Sequence, residues 1–530
     1  DMYLYDGKIY TLDPKRPLVR ALAIRDGRIV AWGEPDDIPP ELKARPHSLQ
    51  GKVVIPGLTD AHIHLEHYAL GLQKIDCETS TRQECLQRVA ERARTTPPGT
   101  WILGHGWNQN VWPEGFGCAA HLDAVAPHHP VYLTAKSLHA AWANSAALRL
   151  AGVSAATPDP AGGRFGRDPQ GNPDGLLFEN AMQVVERAIP EPSVDEVAAA
   201  IRQAQTTLWA MGVTGAHDFD RWRCFAALQL LRQRGELRLR VLKSIPLENL
   251  PDATALGLRS GFGDDWLRIG GVKAFMDGAL GPQTAAMLQP YEGAPENRGM
   301  LFMDAEELFE HGRLAMENGL PLAVHAIGDR ANHEALDAFA QLRELEAEQA
   351  RRGASVAPLR HRIEHVQVIH PDDVGRLAAL GVIASMQPIH ATSDMLMADR
   401  FWGARSALAY AWKAQLEHGA RLAFGSDAPV ESPNPFWGLH AALTRQRQDG
   451  SPSPQGWYPQ QRLDLNQALL AYTQGPAYAA GWEDKLGKLS PGYYADLLVL
   501  EVDPFECPPQ ELYALRPQAT MVNGEWVYQN

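Results

Sequence analysis

Pro56-Gly57-Leu58-Thr59-Asp60-Ala61-His62-Ile63-His64 follows the apolar run Val53-Val54-Ile55 and ends in two histidines separated by one residue. In a strand, alternate side chains share a side, so His62 and His64 project together while Ile63 faces away. Two histidines at this spacing also occur by coincidence. The strand-like run and the glycine turn before them favour two imidazoles converging on one point at a strand end.

Working outward, seven further apolar stretches end in polar or small residues and alternate with helical segments, the pattern of a parallel α/β architecture. With Val53 to Asp60 counted first, the others are Gly212 to Asp218, Leu239 to Ile245, Leu267 to Lys273, Leu320 to His325, His361 to Val366, Val382 to Gln387 and Arg421 to Asp427. Eight such strands predict a closed (β/α)8 TIM barrel. Helices are expected over Ser193 to Met211, opened by a Ser193/Glu196 capping pattern, and over Arg330 to Arg352. Roughly 150 residues separate Asp60 from Gly212, whereas an ordinary βα connection takes a few loop residues and one helix, so a subdomain is inserted after the first barrel strand. Both termini carry short strands and turn signals (Asp26-Gly27, Asn523-Gly524) and are expected to pair as a small β-sandwich. The expected domains are 1–55 with 485–530 as the sandwich and 56–484 as the barrel, with 70–205 inserted in it.

Further candidates sit at the ends of later strands, which a barrel brings to one mouth. His325 ends Pro321-Leu322-Ala323-Val324, His365 ends His361-Arg362-Ile363-Glu364, and Asp427 closes Ala423-Phe424-Gly425-Ser426-Asp427. Asp427 suits either metal ligation with proton transfer or a helix N-cap. Lys273, among small and apolar residues, would be desolvated, and the neutral amine that favours can add carbon dioxide to become an anionic carbamate; a lysine snorkelling to water is the plainer alternative. His361 to His365 also matches H-x-x-E-H, a zinc-protease pattern that needs a helix. Here the segment reads as strand, which puts its two histidines about 13 Å apart, so only His365 is expected to bind metal.

Composition narrows the function classes. The chain has 530 residues, is 45% hydrophobic and 21% charged, and carries a net charge of −14. With no uncharged apolar run of membrane-spanning length and no Lys/Arg block, neither a membrane nor a nucleic-acid partner is expected. Five scattered cysteines with no C-x-x-C pair argue against a disulfide framework and for a reducing, cytoplasmic location. The first residues lack a signal-peptide pattern, although the absent initiator Met leaves a removed leader open. A homo-oligomer also stays open.

Taken together, the terminal strands around Asp26-Gly27-Arg28-Ile29-Val30 and Gly492-Tyr493-Tyr494-Ala495-Asp496, the His62-Ile63-His64 pair, Val272-Lys273, His325-Ala326-Ile327-Gly328-Asp329, Arg362-Ile363-Glu364-His365 and Gly425-Ser426-Asp427 resemble the amidohydrolase superfamily. The insert's Leu138-His139-Ala140-Ala141-Trp142-Ala143-Asn144-Ser145 points to its YtcJ-type hydrolases and N-substituted formamide deformylases. The resemblance implies a binuclear divalent metal site. In it His62 and His64 hold one ion, His325 and His365 the other, carbamylated Lys273 bridges, and Asp427 binds the first ion and a bridging hydroxide. A carbamate would also offset part of the two ions' charge in a partly buried site.

The implied activity is hydrolysis of a non-peptide amide-type C–N bond in a small-molecule substrate by that hydroxide, with Asp427, Lys273 and His325 carrying the chemistry. Zinc is expected for both ions by availability. Deamination is disfavoured, because Gly328 stands three residues after His325, where the deaminases of the superfamily carry a glutamate. Trp107, His139, Asn144, Asp277 and Arg330 are candidates for substrate contact, against packing, capping or ion-pairing roles. Trp402 and Trp437, read as bordering the mouth, suggest an apolar or aromatic substrate. Ester or phosphoester hydrolysis at the same site, and a non-catalytic metal-stabilised binding or regulatory protein, are the alternatives.

Overall fold

Eight parallel strands make the centre of the larger of two units: β1 (Leu58–Ile63), β2 (Val213–Asp218), β3 (Arg240–Pro246), β4 (Leu267–Phe275), β5 (Leu322–Ala326), β6 (Arg362–His365), β7 (Ile383–Met386) and β8 (Leu422–Phe424). They pair in chain order, and the two ends meet through Asp427 N–H to His62 O (2.7 Å) and His64 N–H to Ala428 O (2.9 Å). The result is a nearly closed TIM-like barrel with helices around it. Its strands are buried almost end to end, as expected where both faces of a sheet are covered.

The computed structural model describes residues 1–354 and 357–530. One unit comprises Asp1–Tyr68 with Ile201–Asn530, the other Ala69–Ala200. Seven of the eight expected strands match observed ones, six within about two residues at each end and Arg421 to Asp427 stopping three residues early, at Phe424. The exception is Val53 to Asp60, which is two strands. Val53–Pro56 belongs to a six-stranded sheet built from both ends of the chain, and only Leu58–Ile63 enters the barrel. Pro56 has no N–H to continue the ladder, and the Gly57 N–H turns to Asp496 O (2.9 Å).

In that six-stranded sheet Val53–Pro56 pairs antiparallel with Leu497–Leu500, with Val54 opposite Val499. A four-stranded sheet from residues 2–48 packs over it, and Leu4, Ile9, Leu22, Ile29, Val54, Leu497 and Met521 form the shared core. The hairpin turns are the expected ones: Asp26 and Gly27 (φ 50° and 76°) and Asn523 and Gly524 (φ 54° and 75°) are left-handed, as a two-residue turn with the strands' twist requires.

The helix expected over Arg330 to Arg352 spans Asp329–Arg351 and buries Ala331, Ala335, Leu336, Ala338, Phe339 and Leu342 along one face. The helix expected from Ser193 spans Val194–Ala210, and its reciprocal cap forms, with Glu196 N–H to Ser193 Oγ (3.2 Å) and Ser193 N–H to Glu196 Oε2 (2.6 Å). The second unit has its own six-stranded sheet, in the order Gly163–Arg167, Pro173–Glu179, Ala140–Ala143, Val131–Ala135, Ile102–Trp107, Ile75–Asp76, around a core containing Trp107, Trp112 and Trp142.

Candidate metal centre

Four histidines at the C-terminal ends of β1, β5 and β6 stand together. The ring centroids of His62 and His365 are 4.9 Å apart, those of His325 and His365 4.7 Å, and those of His62 and His64 5.6 Å. Each ring is tied at one nitrogen. His62 Nδ1 meets Glu364 Oε2 (2.9 Å), His64 Nδ1 meets Asp220 Oδ1 (3.0 Å), His365 Nδ1 meets Gln387 Oε1 (2.7 Å) and His325 Nε2 meets Gly278 O (2.8 Å). All four partners are oxygen acceptors, so each tied nitrogen can donate outward and the ring's other nitrogen is left for the interior, the arrangement found in metal-binding histidines. The Nε2 atoms of His62 and His64 lie 3.3 and 3.2 Å from the same atom, Asp427 Oδ1. One ligand atom each from His62, His365 and Asp427 falls within 4.8 Å of the others. This donor set of imidazoles and a carboxylate fits a divalent transition metal.

Backbone strain aims two of these side chains. His365 (φ 85°) and Asp427 (φ 60°) lie in the left-handed region, which costs a non-glycine residue about 1–3 kcal/mol and persists where surrounding structure enforces it. It also explains why β6 and β8 end before the expected Val366 and Asp427. Asp60 is part of the enforcement: its buried carboxylate accepts from His62 N–H (3.1 Å), Ser426 N–H (3.0 Å) and Ser426 Oγ (2.5 Å). Gly425 lets the two segments close up, since a Cβ there would lie 2.5 Å from His62 N and 2.7 Å from Asp60 Oδ1.

Lys273, on β4, is 4% exposed, and its Nζ lies over the faces of Phe219 (4.5 Å) and Phe275 (4.9 Å). Burial brings its amine down to about 8, within reach of the neutral form that carbamylation needs. Burial likewise brings His325 to about 3 and holds His365 well below the ordinary histidine value, which favours neutral rings; at His64 burial also lowers the value, but the Asp220 and Asp427 carboxylates outweigh it and push the ring up to about 9.

A profile of the amidohydrolase family matches residues 48–528. The chain belongs to that family. It is 32% identical over 551 residues to YtcJ of Bacillus subtilis, covering 99% of each chain. It is 28% identical over 553 residues to the N-substituted formamide deformylase of Arthrobacter pascens, covering 100% of this chain and 98% of that one. A crystal structure of an uncharacterized metal-dependent hydrolase from Pyrococcus horikoshii superposes with a TM-score of 0.78 at 29% identity, over 96% of this chain and 99% of that one.

The remaining candidates are placed differently. Asp277 is 1% exposed and braces the loops after β4 and β5, accepting from Ala286, Ile327 and Gly328 N–H at 2.9, 3.0 and 2.8 Å. Arg330 is exposed in the first turn of Asp329–Arg351. Within the second unit, Trp107 is buried and donates its indole N–H to Leu133 O (2.7 Å). Asn144, also buried, caps Ser145–Leu150 through Ala147 N–H (3.0 Å) and accepts from Val131 N–H (2.9 Å). His139 is exposed and paired with Glu179 (2.9 Å). Trp402 does not border the mouth. It ends the helix Pro388–Trp402 and is fully buried, because at 1.5 Å per residue that helix carries it about 20 Å from β7. Trp437 is half-buried within Pro435–Thr444.

The residues that sequence reading missed are the outer partners: Asp60, Asp220, Glu364, Gln387 and His390. Asp60 and Glu364 each lie within a quoted motif. His390, in Gln387-Pro388-Ile389-His390, lies 3.4 Å from Asp427 Oδ2.

Proposed function

We propose that this chain hydrolyses the non-peptide amide-type C–N bond of a small molecule, using two divalent cations held by His62, His64, His325, His365, Asp427 and a carbamylated Lys273. The observation that carries this reading is the convergence of His62, His365 and Asp427, with one ligand atom of each within 4.8 Å of the others and the rings of His64 and His325 beside them. When bound, the cation pair supplies an activated water and polarises the scissile carbonyl. Asp427 takes the proton of the attacking water and returns it to the leaving amine, a transfer that needs hydrogen-bond reach to both atoms. Asp427 Oδ1 faces the histidines and Oδ2 faces away from them toward His390, so one carboxylate has an oxygen for each task.

The formamide deformylase relative supports an amide substrate, and the surroundings of Lys273 support an apolar substituent on it. Phe275 lies two residues beyond Lys273 on the same strand, 46% exposed, with its ring 5.1 Å from that of His325. Phe219 stacks on His62 at 4.2 Å. An exposed aromatic ring beside candidate ligands gains by being covered, at roughly 25 cal/mol per Å² of apolar surface.

The test is elemental analysis of the wild type and Lys273→Ala, with a substrate panel of N-substituted formamides, N-acyl amines, esters and phosphotriesters. Two cations per chain, fewer in Lys273→Ala, and amide turnover that rises with apolar substituents are expected. A wild type that holds no cation after reconstitution, or turns over phosphotriesters alone, overturns the reading.

A further inference from the structure

We infer that His390 is a positioning residue: it fixes the rotation of the Asp427 carboxylate and thereby one of the two cation sites. The inference rests on the metal-dependent reading above. Asp427 is anchored through its backbone, with its N–H on His62 O (2.7 Å) and φ 60°, but that leaves the carboxylate free to turn about its last bond, a soft torsion. His390 removes that freedom. Its ring is buried, with 6% of the side chain exposed, and Nε2 lies 3.4 Å from Asp427 Oδ2. Nδ1 faces a second carboxylate, Glu431 Oε1, at 3.8 Å. The Nε2 contact holds Oδ2 and leaves Oδ1 facing His62 and His64 Nε2 at 3.3 and 3.2 Å.

The fold supplies the aim. The helix Pro388–Trp402 starts directly after β7, with Gln387 as its cap residue and the His390 N–H bonded to Gln387 O (3.0 Å). One helix start therefore serves both groups of ligands: Gln387 holds His365 (2.7 Å) and His390 holds Asp427. One turn further on, Asp394 is tied by the Tyr410 hydroxyl (2.6 Å), which also reaches Gln367 Oε1 (3.3 Å), so the segment carrying His390 is itself held.

The test is chelator competition on wild type, His390→Ala and His390→Gln, reading cations retained per chain by elemental analysis against rising EDTA. Thermal midpoints and steady-state kinetics on the best amide substrate accompany it. Removing a group that orients a metal ligand costs about 10- to 100-fold in metal affinity. In His390→Ala one of the two cations should leave at EDTA at least tenfold lower than in wild type while the other leaves as before. kcat should fall more than tenfold with KM within threefold. His390→Gln, which keeps an N–H donor, should recover most of both. Wild-type release of both cations with kcat within twofold in His390→Ala overturns the inference. Equal loosening of both cations, with a lowered thermal midpoint and no rescue by Gln, also overturns it, since that is the mark of a merely structural residue. A wild type that holds no cation overturns the metal-dependent reading and this inference with it.

Discussion

The barrel and the second unit are both rich in histidine, and they use it differently. His62, His64, His325 and His365 each spend one nitrogen on an outer acceptor, and each ring stands within 5.6 Å, centre to centre, of another of the four. In the second unit His105 meets Thr134 Oγ1 (2.7 Å), His129 meets Thr96 O (2.8 Å) and His139 meets Glu179 (2.9 Å). Each serves its own turn or strand, and among the described residues no metal-sized group of donors forms there. Hydrogen bonding at one nitrogen is therefore not what marks a ligand. The other nitrogen must share its space with further donors, and parallel strand ends achieve that.

The largest expected effect breaks the centre at its proton carrier. Asp427→Asn should lower kcat for amide hydrolysis by about 10²- to 10⁴-fold, the usual worth of general acid/base catalysis; turnover within threefold of wild type would remove that role. The next effect concerns a histidine of neither kind. His440, buried in Pro435–Thr444 against Tyr513 (5.2 Å), is brought by burial down to about 4. A base whose folded pKa is lowered is charged sooner in the unfolded chain. Its contribution is thus complete above about 6.5 and is lost as pH falls toward 4, by up to ~3 kcal/mol. His440→Phe should flatten stability over that window in urea titrations at stepped pH.

The smallest effects come from a matched pair. Asp220 and Glu179 each face a histidine Nδ1, at 3.0 and 2.9 Å, one in each unit. Asp220→Ala should weaken metal binding about 10- to 100-fold. Glu179→Ala should leave metal content untouched and stability within about 0.5 kcal/mol. Equal effects in chelator and thermal titrations would erase the distinction between the units.

Period-two spacing made the pairing of His62 with His64 readable, and strand ends made His325 and His365 readable, because both follow from local geometry. The outer partners were not readable in the same way. Whether Glu364 reaches His62, 302 residues away, depends on register across several strands, which no short window contains. The break at Pro56 was missed for a related reason. Val53 to Leu58 carries no polar side chain because two different sheets bury it, and hydrophobic pattern alone does not tell one buried surface from another. Trp402 was misplaced by ignoring helix length.

The strand at Val53–Pro56 also sets an order of events. It runs directly into the strand that carries His62 and His64, and its antiparallel partner is Leu497–Leu500. During synthesis, that partner leaves the ribosome only after more than four hundred intervening residues, a contact among the most non-local a chain of this length can make and correspondingly slow to form. The strand's other neighbour, Lys8–Tyr10, precedes it in the chain, so the segment leading to His62 and His64 is held on one side early and on the other only once a contact spanning most of these residues has closed.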